Sequence, residues 1–315
     1  MKTDAVALDA KEIDARLGEI DPPVAREVLL DLLAGEISPV IALSRLLLAL
    51  GWPAEVEAML AEVAQSWGRP LHPLLYEVAR LLQEHREGCE QVSTMLREHP
   101  ATSVSNSPAE DVIASCRAFF DRAVSRNEMA SVAAYSLGDP EILARATREV
   151  VDLFEHWDLL GADRKTLEIG CGIGRMQAAL APRVAAAHGL DISPRMIAAA
   201  KTRCAGLPNV HFSLGSGRDL AGFEAESLDL VFAVDSFPYI YQAGPALAEA
   251  HFHEAVRVLR PGGELVIFNY SYRDDLAGDR HDVRRLARAA GLIVVVAGAQ
   301  PFTFWDGIAF RLRRA

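Results

Sequence analysis

The sequence predicts an α/β protein, a doubly wound parallel sheet preceded by an all-α domain. Three observations carry that reading. After Lys165, short apolar runs recur at regular spacing with helical patterns between them. The first run breaks into Gly170-Cys171-Gly172-Ile173-Gly174 and then into a helix. Residues 1 to 99, by contrast, show helical periodicity alone, with proline starts and glycine stops.

In chain order, Asp21-Pro22-Pro23 opens a helix with Val24, Val28 and Leu32 on one face and Gly35 at its end. Ser38 before Pro39 is an N-cap starting an apolar helix through Leu50, with Gly51 beyond. Pro53 starts a third through about Ser66, and Leu71 to Glu87 gives a fourth. Leu29-Leu30, Leu32-Leu33 and Leu46-Leu47-Leu48 make faces wider than one partner would cover. A small bundle accounts for them, with room for a homodimer through the same helices. Pro100 to Pro108 is small, polar and carries two prolines, as a linker does. The expected division is therefore a helical domain (1–99), a linker (100–110), a helical connection and lid (111–160) and an α/β domain (161–315). Within the connection, Asp111 to Ser125 and Glu141 to Leu160 are helical, and Ser131 to Pro140 is a turn-rich crossing between them.

Strands are expected at Thr166–Ile169, Val184–Leu190, Val210–Ser213, Leu228–Val234, Glu264–Asn269, Leu292–Ala297 and Ile308–Leu312. The last two are joined by a non-helical stretch and should form an antiparallel hairpin. A helix from Ala246 to Arg260 has Ala248, Phe252, Ala255 and Leu259 on its core face, which leaves His251 and His253 flanking or exposed.

Composition narrows the function. Half of the 315 residues are hydrophobic, and the net charge is −11. The first 110 residues hold 18 acids against 9 bases (−9), the remainder 25 against 23 (−2). Neither part offers the basic footprint of a nucleic-acid-binding face. Acidic polar faces also argue against a membrane-surface helix, and the longest apolar run, Val40 to Leu50, is too short to span a bilayer. Cys89, Cys116, Cys171 and Cys204 lack CxxC spacing and read as reduced thiols of a cytoplasmic protein; no secretory signal pattern is present. No HExxH, GxSxG or metal-ligand cluster appears, so no metal is expected.

A strand, a glycine turn and a helix let a cofactor approach bare backbone. The glycines follow G-x-G-x-G, whereas a pyrophosphate-cradling loop shows G-x-G-x-x-G. Asp191 ends the next apolar run, about 20 residues on, where a carboxylate can accept both hydroxyls of a ribose. Ser193 before Pro194 already supplies the cap of the following helix, leaving Asp191 available.

LEIGCGIGR (Leu167 to Arg175), GLDISPRMI (Gly189 to Ile197), SLDLVFAVDSF (Ser227 to Phe237) and RVLRPGGELVIFN (Arg257 to Asn269) together resemble the class I S-adenosylmethionine-dependent methyltransferases. The resemblance covers roughly Asp139 to the C-terminus. It implies a seven-stranded Rossmann-like sheet in the order 3-2-1-4-5-7-6, with S-adenosyl-L-methionine as cofactor and S-adenosyl-L-homocysteine as product. It also implies a cofactor site. Gly170, Cys171, Gly172 and Gly174 would lie against the methionine part and ribose, with Glu168 anchoring the loop or reaching the ammonium group. Asp191 would take the ribose hydroxyls, Ile192 one adenine face, with Met196 nearby. Ser216, Gly217 and Arg218 fall where the family makes its adenine-edge contact, although many relatives carry an Asp at the position of Ser216.

Ligands of such sheets bind outside the carboxyl ends of the strands. Val234 and Asp235 end the fourth strand there, and Asp235 could contact the methionine group or orient substrate. Asp235-Ser236-Phe237-Pro238-Tyr239 departs from the Asp/Asn-Pro-Pro-Tyr box of amino-group methyltransferases by an extra residue and one proline fewer. Candidate catalytic groups are Asp235, Tyr239 and His281. Tyr135, as a lid residue, and Tyr239, Tyr241, Asn269, Tyr270 and Trp305, as rim residues, are the candidate substrate contacts, and aromatics there suit a flat organic acceptor. The expected activity is methyl transfer to oxygen or nitrogen of a small organic molecule. Three rivals stand beside it: a peptide or protein methyltransferase, a non-catalytic methyltransferase-like scaffold, and a nucleotide-linked oxidoreductase. The last predicts a G-x-G-x-x-G loop and a Tyr-xxx-Lys set that are absent.

Overall fold

Local signals set the helices of the N-terminal half. The computed structural model describes residues 10–68, 70–98 and 107–315. After α1 (Ala10–Leu17), α2 (Pro23–Ala34) ends on Gly35, whose left-handed backbone (φ 77°) returns N–H groups to the last turn. α3 (Pro39–Leu50) begins at Ser38, whose hydroxyl accepts from the Ile41 N–H. α4 (Pro53–Trp67) is closed by Glu55 accepting from the Trp52 N–H. Leu29, Leu32, Leu33, Leu46 and Leu47 are all buried inside the chain, so most of the wide leucine faces find their partners within it; Leu48 stays 64 % exposed.

The expected helix from Leu71 to Glu87 is two, α5 (Pro73–Glu84) and α6 (Arg86–Glu98), broken at His85. The apolar spacing runs through the break unchanged, so nothing periodic marks it. Tertiary contact does: a Cβ on Gly88 would stand 1.8 Å from the Leu137 carbonyl oxygen. Residues 100–106 of the expected linker lie outside the described residues, and Ala109 and Glu110 already belong to α7 (Ala109–Arg126).

The crossing to the sheet holds a short α8 (Glu128–Val132) and a single 3-10 turn, Ala134–Ser136. α9 (Pro140–His156) starts on Asp139, which accepts from the N–H groups of Glu141 and Ile142. It stops short of the expected Leu160, because Asp158 takes a left-handed φ of 56°. β1 (Gly161–Ile169) consequently starts earlier than the apolar run. There follow α10 (Arg175–Leu180), β2 (Val184–Asp191), α11 (Pro194–Arg203), β3 (Val210–Leu214) and β4 (Leu228–Val234). Next come α12 (Phe237–Gln242), a short helix the sequence reading did not separate, and α13 (Pro245–Val258). The chain closes with β5 (Leu259–Phe268), α14 (Leu276–Ala290), β6 (Leu292–Ala299) and β7 (Ala309–Arg314).

The sheet has seven strands in the order β3-β2-β1-β4-β5-β7-β6. β7 runs antiparallel to both β5 and β6, and the other pairings are parallel. Side chains of β4 alternate between two cores, as a strand covered on both faces requires. Val231 and Ala233 join Phe252 and Phe310 on one side. Leu230, Phe232 and Val234 join Phe154 of α9 on the other, in a cluster that continues without interruption into α2–α6. Among the described residues no single helix is long and apolar enough to cross a membrane; α3 and α4 together would be, but they fold on each other at 111°.

Candidate active site

The carboxyl ends of β1, β2, β4 and β5 open on a cavity of about 1190 Å³. Its opposite wall is helical, with Val28 and Leu48 of the N-terminal helices, Ile113 and Phe120 of α7, and Val132 of α8. Single-ligand pockets typically span about 300–1,000 Å³, so this one has room for a cofactor and an acceptor together.

One end is built by the first two strands. Gly170 and Gly172 leave β1 with positive φ (73° and 53°), which brings loop backbone to the cavity surface. Asp191 is buried at the tip of β2 and accepts from the Gly172 N–H and the Ser193 N–H, both at 2.9 Å. Burial pushes its carboxyl up to about 6, although those N–H groups pull the other way. Ser193 caps α11 through the Met196 N–H and bonds Asp121 of α7 at 2.6 Å. Glu168, also buried, accepts from Gln177 Nε2 at 2.9 Å, and desolvation raises its carboxyl to about 8 against the pull of Arg175 and Gln177. Cys171, Ile192 and Met196 line the same end.

Three positions of the expected cofactor set face elsewhere. Gly174 is a packing glycine: a Cβ there would stand 2.7 Å from the Phe212 ring. Ser216 closes its own turn, accepting from the Arg218 N–H and bonding Asp219, and neither Ser216 nor Arg218 lines the cavity. The Arg218 side chain turns outward to Glu110. Gly217 is the loop residue that remains at the wall, held between Ile192 and Ile113.

The other end gathers around Asp235. Asp235 and Asn269 follow β4 and β5 with positive φ (56° and 61°), a conformation these two residue types tolerate. Asn269 Nδ2 donates to Asp235 Oδ1 at 2.6 Å, while Asn269 Oδ1 accepts from the Ile308 N–H. Tyr272 donates to the same Asp235 oxygen at 3.2 Å. Desolvation again dominates, raising the Asp235 carboxyl to about 6. Val234 and Tyr239 share this wall, with the Tyr239 ring edge-on to Phe120. Tyr135 sits on the 3-10 turn, buried, with its ring 6.2 Å from that of Trp305 and its hydroxyl beside the Arg175 guanidinium.

Trp305 is held from two sides. Glu149 of α9 accepts from the N–H groups of Thr303, Phe304 and Trp305. From α3, Ser38 donates to the Phe304 carbonyl and Arg45 pairs with Asp306 at 2.8 Å.

Tyr270 and Tyr241 are not rim residues. Tyr270 is buried in the core beyond the sheet against Phe237, and the Tyr241 hydroxyl accepts from Arg273. His281 lies exposed on α14 beside Arg284, Arg285 and Arg288, away from the cavity. His251, expected at the flank, is buried at the cavity edge; its Nδ1 contacts the Leu247 carbonyl and burial lowers its pKa. His253 is exposed, as expected. Among the described residues no group of three metal-ligating side chains converges. Arg175, Tyr272, Ile113 and Phe120 are wall residues the sequence reading missed. Arg175 alone carried a signal, a charged residue at the first position of a helix whose neighbours are all core.

Residues 167–267 match the family described as "Methyltransferase domain". Demethylmenaquinone methyltransferase of Tropheryma whipplei is 34% identical over 124 residues, 37% of this chain and 49% of that protein. The methyltransferase GfsG of Streptomyces halstedii is 32% identical over 143 residues, 43% of this chain and 49% of that protein. The chain thus spans about half the length of the curated relatives it matches. In fold it is similar to Haemonchus contortus phosphoethanolamine N-methyltransferase, at TM-score 0.51 and 16% identity over 66% of this chain and 50% of that one. Magnesium protoporphyrin IX methyltransferase of Synechocystis PCC 6803 gives 0.50 and 16%, over 67% and 100%. Sequence through the glycine loop and topology across the whole sheet agree: residues 167–267 are a methyltransferase domain, and the sheet that contains them has the fold of the S-adenosylmethionine-dependent methyltransferases.

Proposed function

We propose that this protein transfers a methyl group from S-adenosylmethionine to an oxygen or nitrogen of a small organic acceptor in the cytoplasm. The observation that supports the reading is that Asp191, the Gly170–Gly172 loop and Asp235 line one cavity. The residues fit the cofactor: a buried carboxylate for the ribose hydroxyls, Glu168 for an ammonium, and bare backbone between them. When bound, S-adenosylmethionine supplies an electrophilic methyl on a sulfonium. What this chain adds is alignment and a proton acceptor. Val132 and Phe120 exclude water from above the loop, and Tyr239 and Trp305 offer flat apolar faces to the acceptor. Asp235, fixed by Asn269 and Tyr272, can take the acceptor's proton at its carboxylate; with its carboxyl near 6 it is mostly ionised at neutral pH yet basic enough to work. Four buried free cysteines suit a reducing cytoplasm.

Calorimetric titration with S-adenosylhomocysteine tests this, with NADH as control ligand. Micromolar binding is expected, weakened at least tenfold (about 1.4 kcal/mol) by Asp191→Ala. A folded protein that ignores S-adenosylhomocysteine would refute the assignment.

A further inference from the structure

The acceptor end of the cavity combines negative charge with aromatic rings. Asp31, Asp235, Asp274, Asp275 and Asp306 all line the cavity. Arg45 and Arg175 are the lysine or arginine side chains among its described lining residues. Arg45 is shared between Asp306, at 2.8 Å, and Asp31, at 3.6 Å. Arg175 donates to Thr147 Oγ1 at 2.9 Å and forms no ion pair. Asp235 is held only by neutral donors, Asn269 and Tyr272, and has no cationic partner among the described residues. Burial raises its carboxyl to about 6, and the field of Asp306 pushes the same way, so at neutral pH a mostly ionised carboxylate stands desolvated and unpaired. Such a charge is costly until a cation meets it.

The rings around it suit the same visitor. Tyr272 bonds the Asp235 carboxylate through its hydroxyl, and the Tyr239 ring stands edge-on to it at 6.2 Å. The Tyr135 and Trp305 rings face the same end, 6.2 Å apart. Aromatic faces carry negative charge density and attract a cation, most of all one already stripped of water. A phenolate or carboxylate would meet Asp235 and Asp306 head on, and a neutral alcohol would leave the unpaired charge as it was.

We propose that the acceptor is a cationic amine, its ammonium seated between Asp235 and the rings of Tyr239, Tyr272 and Trp305, so that the methylated atom is nitrogen. An N–H proton passes to the Asp235 carboxylate. The freed lone pair forms the new N–C bond as the S–C bond breaks, with that bond's electrons left on sulfur. The cation site is read from the cavity itself; its role as methyl acceptor rests on the methyltransferase reading above.

The test uses three probes with one flat body and different charge: naphthylmethylamine, naphthylmethanol and naphthoate. Each is titrated calorimetrically into the wild type and Asp235→Asn, both free and saturated with S-adenosylhomocysteine. The amine is expected to bind the wild type at least tenfold more tightly than the alcohol, with naphthoate weakest. Asp235→Asn should remove that preference while leaving the alcohol within twofold. The proposal is overturned if the amine does not bind, if the alcohol or naphthoate binds as tightly, or if Asp235→Asn keeps the preference. Should Asp235→Asn fail to fold, Trp305→Leu decides: the amine must lose at least threefold more affinity than the alcohol. A wild type that ignores S-adenosylhomocysteine yet binds the amine through Asp235 removes the methyltransferase reading and keeps the cation site. One that binds S-adenosylhomocysteine without preferring the amine does the reverse.

Discussion

The two ends of the cavity are made in different ways. The Asp191 end comes from one stretch, β1 through the start of α11, in which glycine turn and carboxylate are separated by a single helix and strand. The Asp235 end comes from five places: the 3-10 turn before α9, the ends of β4 and β5, the β6–β7 loop, and α3 from the N-terminal helices. A site built locally inherits its geometry from backbone rules. A site built from distant segments depends on the contacts that dock them, so damage far from the chemistry should reach it.

Docking damage should be largest where backbone meets backbone. Gly88→Ala would drive a Cβ into the Leu137 carbonyl and push α6 away from the turn carrying Tyr135. A loss of about 3 kcal/mol is expected, at the upper end for overpacking, measured by urea unfolding. An unchanged midpoint would mean that the helices do not hold the Tyr135 turn.

A smaller effect is expected at Glu149, whose carboxylate gathers three N–H groups of the β6–β7 loop. Glu149→Gln should cost on the order of 2 kcal/mol, since hydrogen bonds to a charged group are the stronger kind. Trp305 fluorescence should shift with it while S-adenosylhomocysteine affinity stays within about twofold. Equal losses at both ends would break the distinction between them.

The smallest effect is electrostatic and belongs to the local end. The Glu168 carboxyl is raised by burial to about 8, above its unfolded range, so the folded state holds a proton there that the unfolded state has released. Its contribution is present below the unfolded pKa and declines as pH rises toward 8. The ligand-free wild type should therefore lose stability between pH 6 and 8, by roughly 1–2 kcal/mol from this group. Glu168→Gln should flatten that slope in thermal unfolding scans, and an equally steep variant would place the proton elsewhere.

Much of the local end was legible. Gly170, Gly172 and Asp191 are read from residue type and spacing, because only glycine enters those turns freely and a carboxylate at a strand tip has few other uses. Gly174, Ser216 and Arg218 were legible as loop residues but not by direction: Phe212 fills the space beside the first, and the other two turn outward. At the other end residue type and position point to Asp235, Asn269, Tyr135 and Trp305, which line the cavity, and equally to Tyr270, Tyr241 and His281, which do not. A loop's sequence does not say which side chains point in, and a helix beginning at Leu276 carries His281 to solvent.

The sequence by itself determined the strand-and-helix alternation, the helix caps at Ser38, Asp139 and Ser193, and the glycine turn. Each is decided by steric and hydrogen-bonding preferences within a few residues. The tertiary structure alone decided the break at His85, the clamp of Glu149 on the Trp305 loop, and the isolation of Arg175 among groups that do not neutralise it. Those features depend on which surfaces meet across intervening chain, 28 positions between Thr147 and Arg175 and 154 to 156 between Glu149 and the Trp305 loop, and no local preference encodes the meeting.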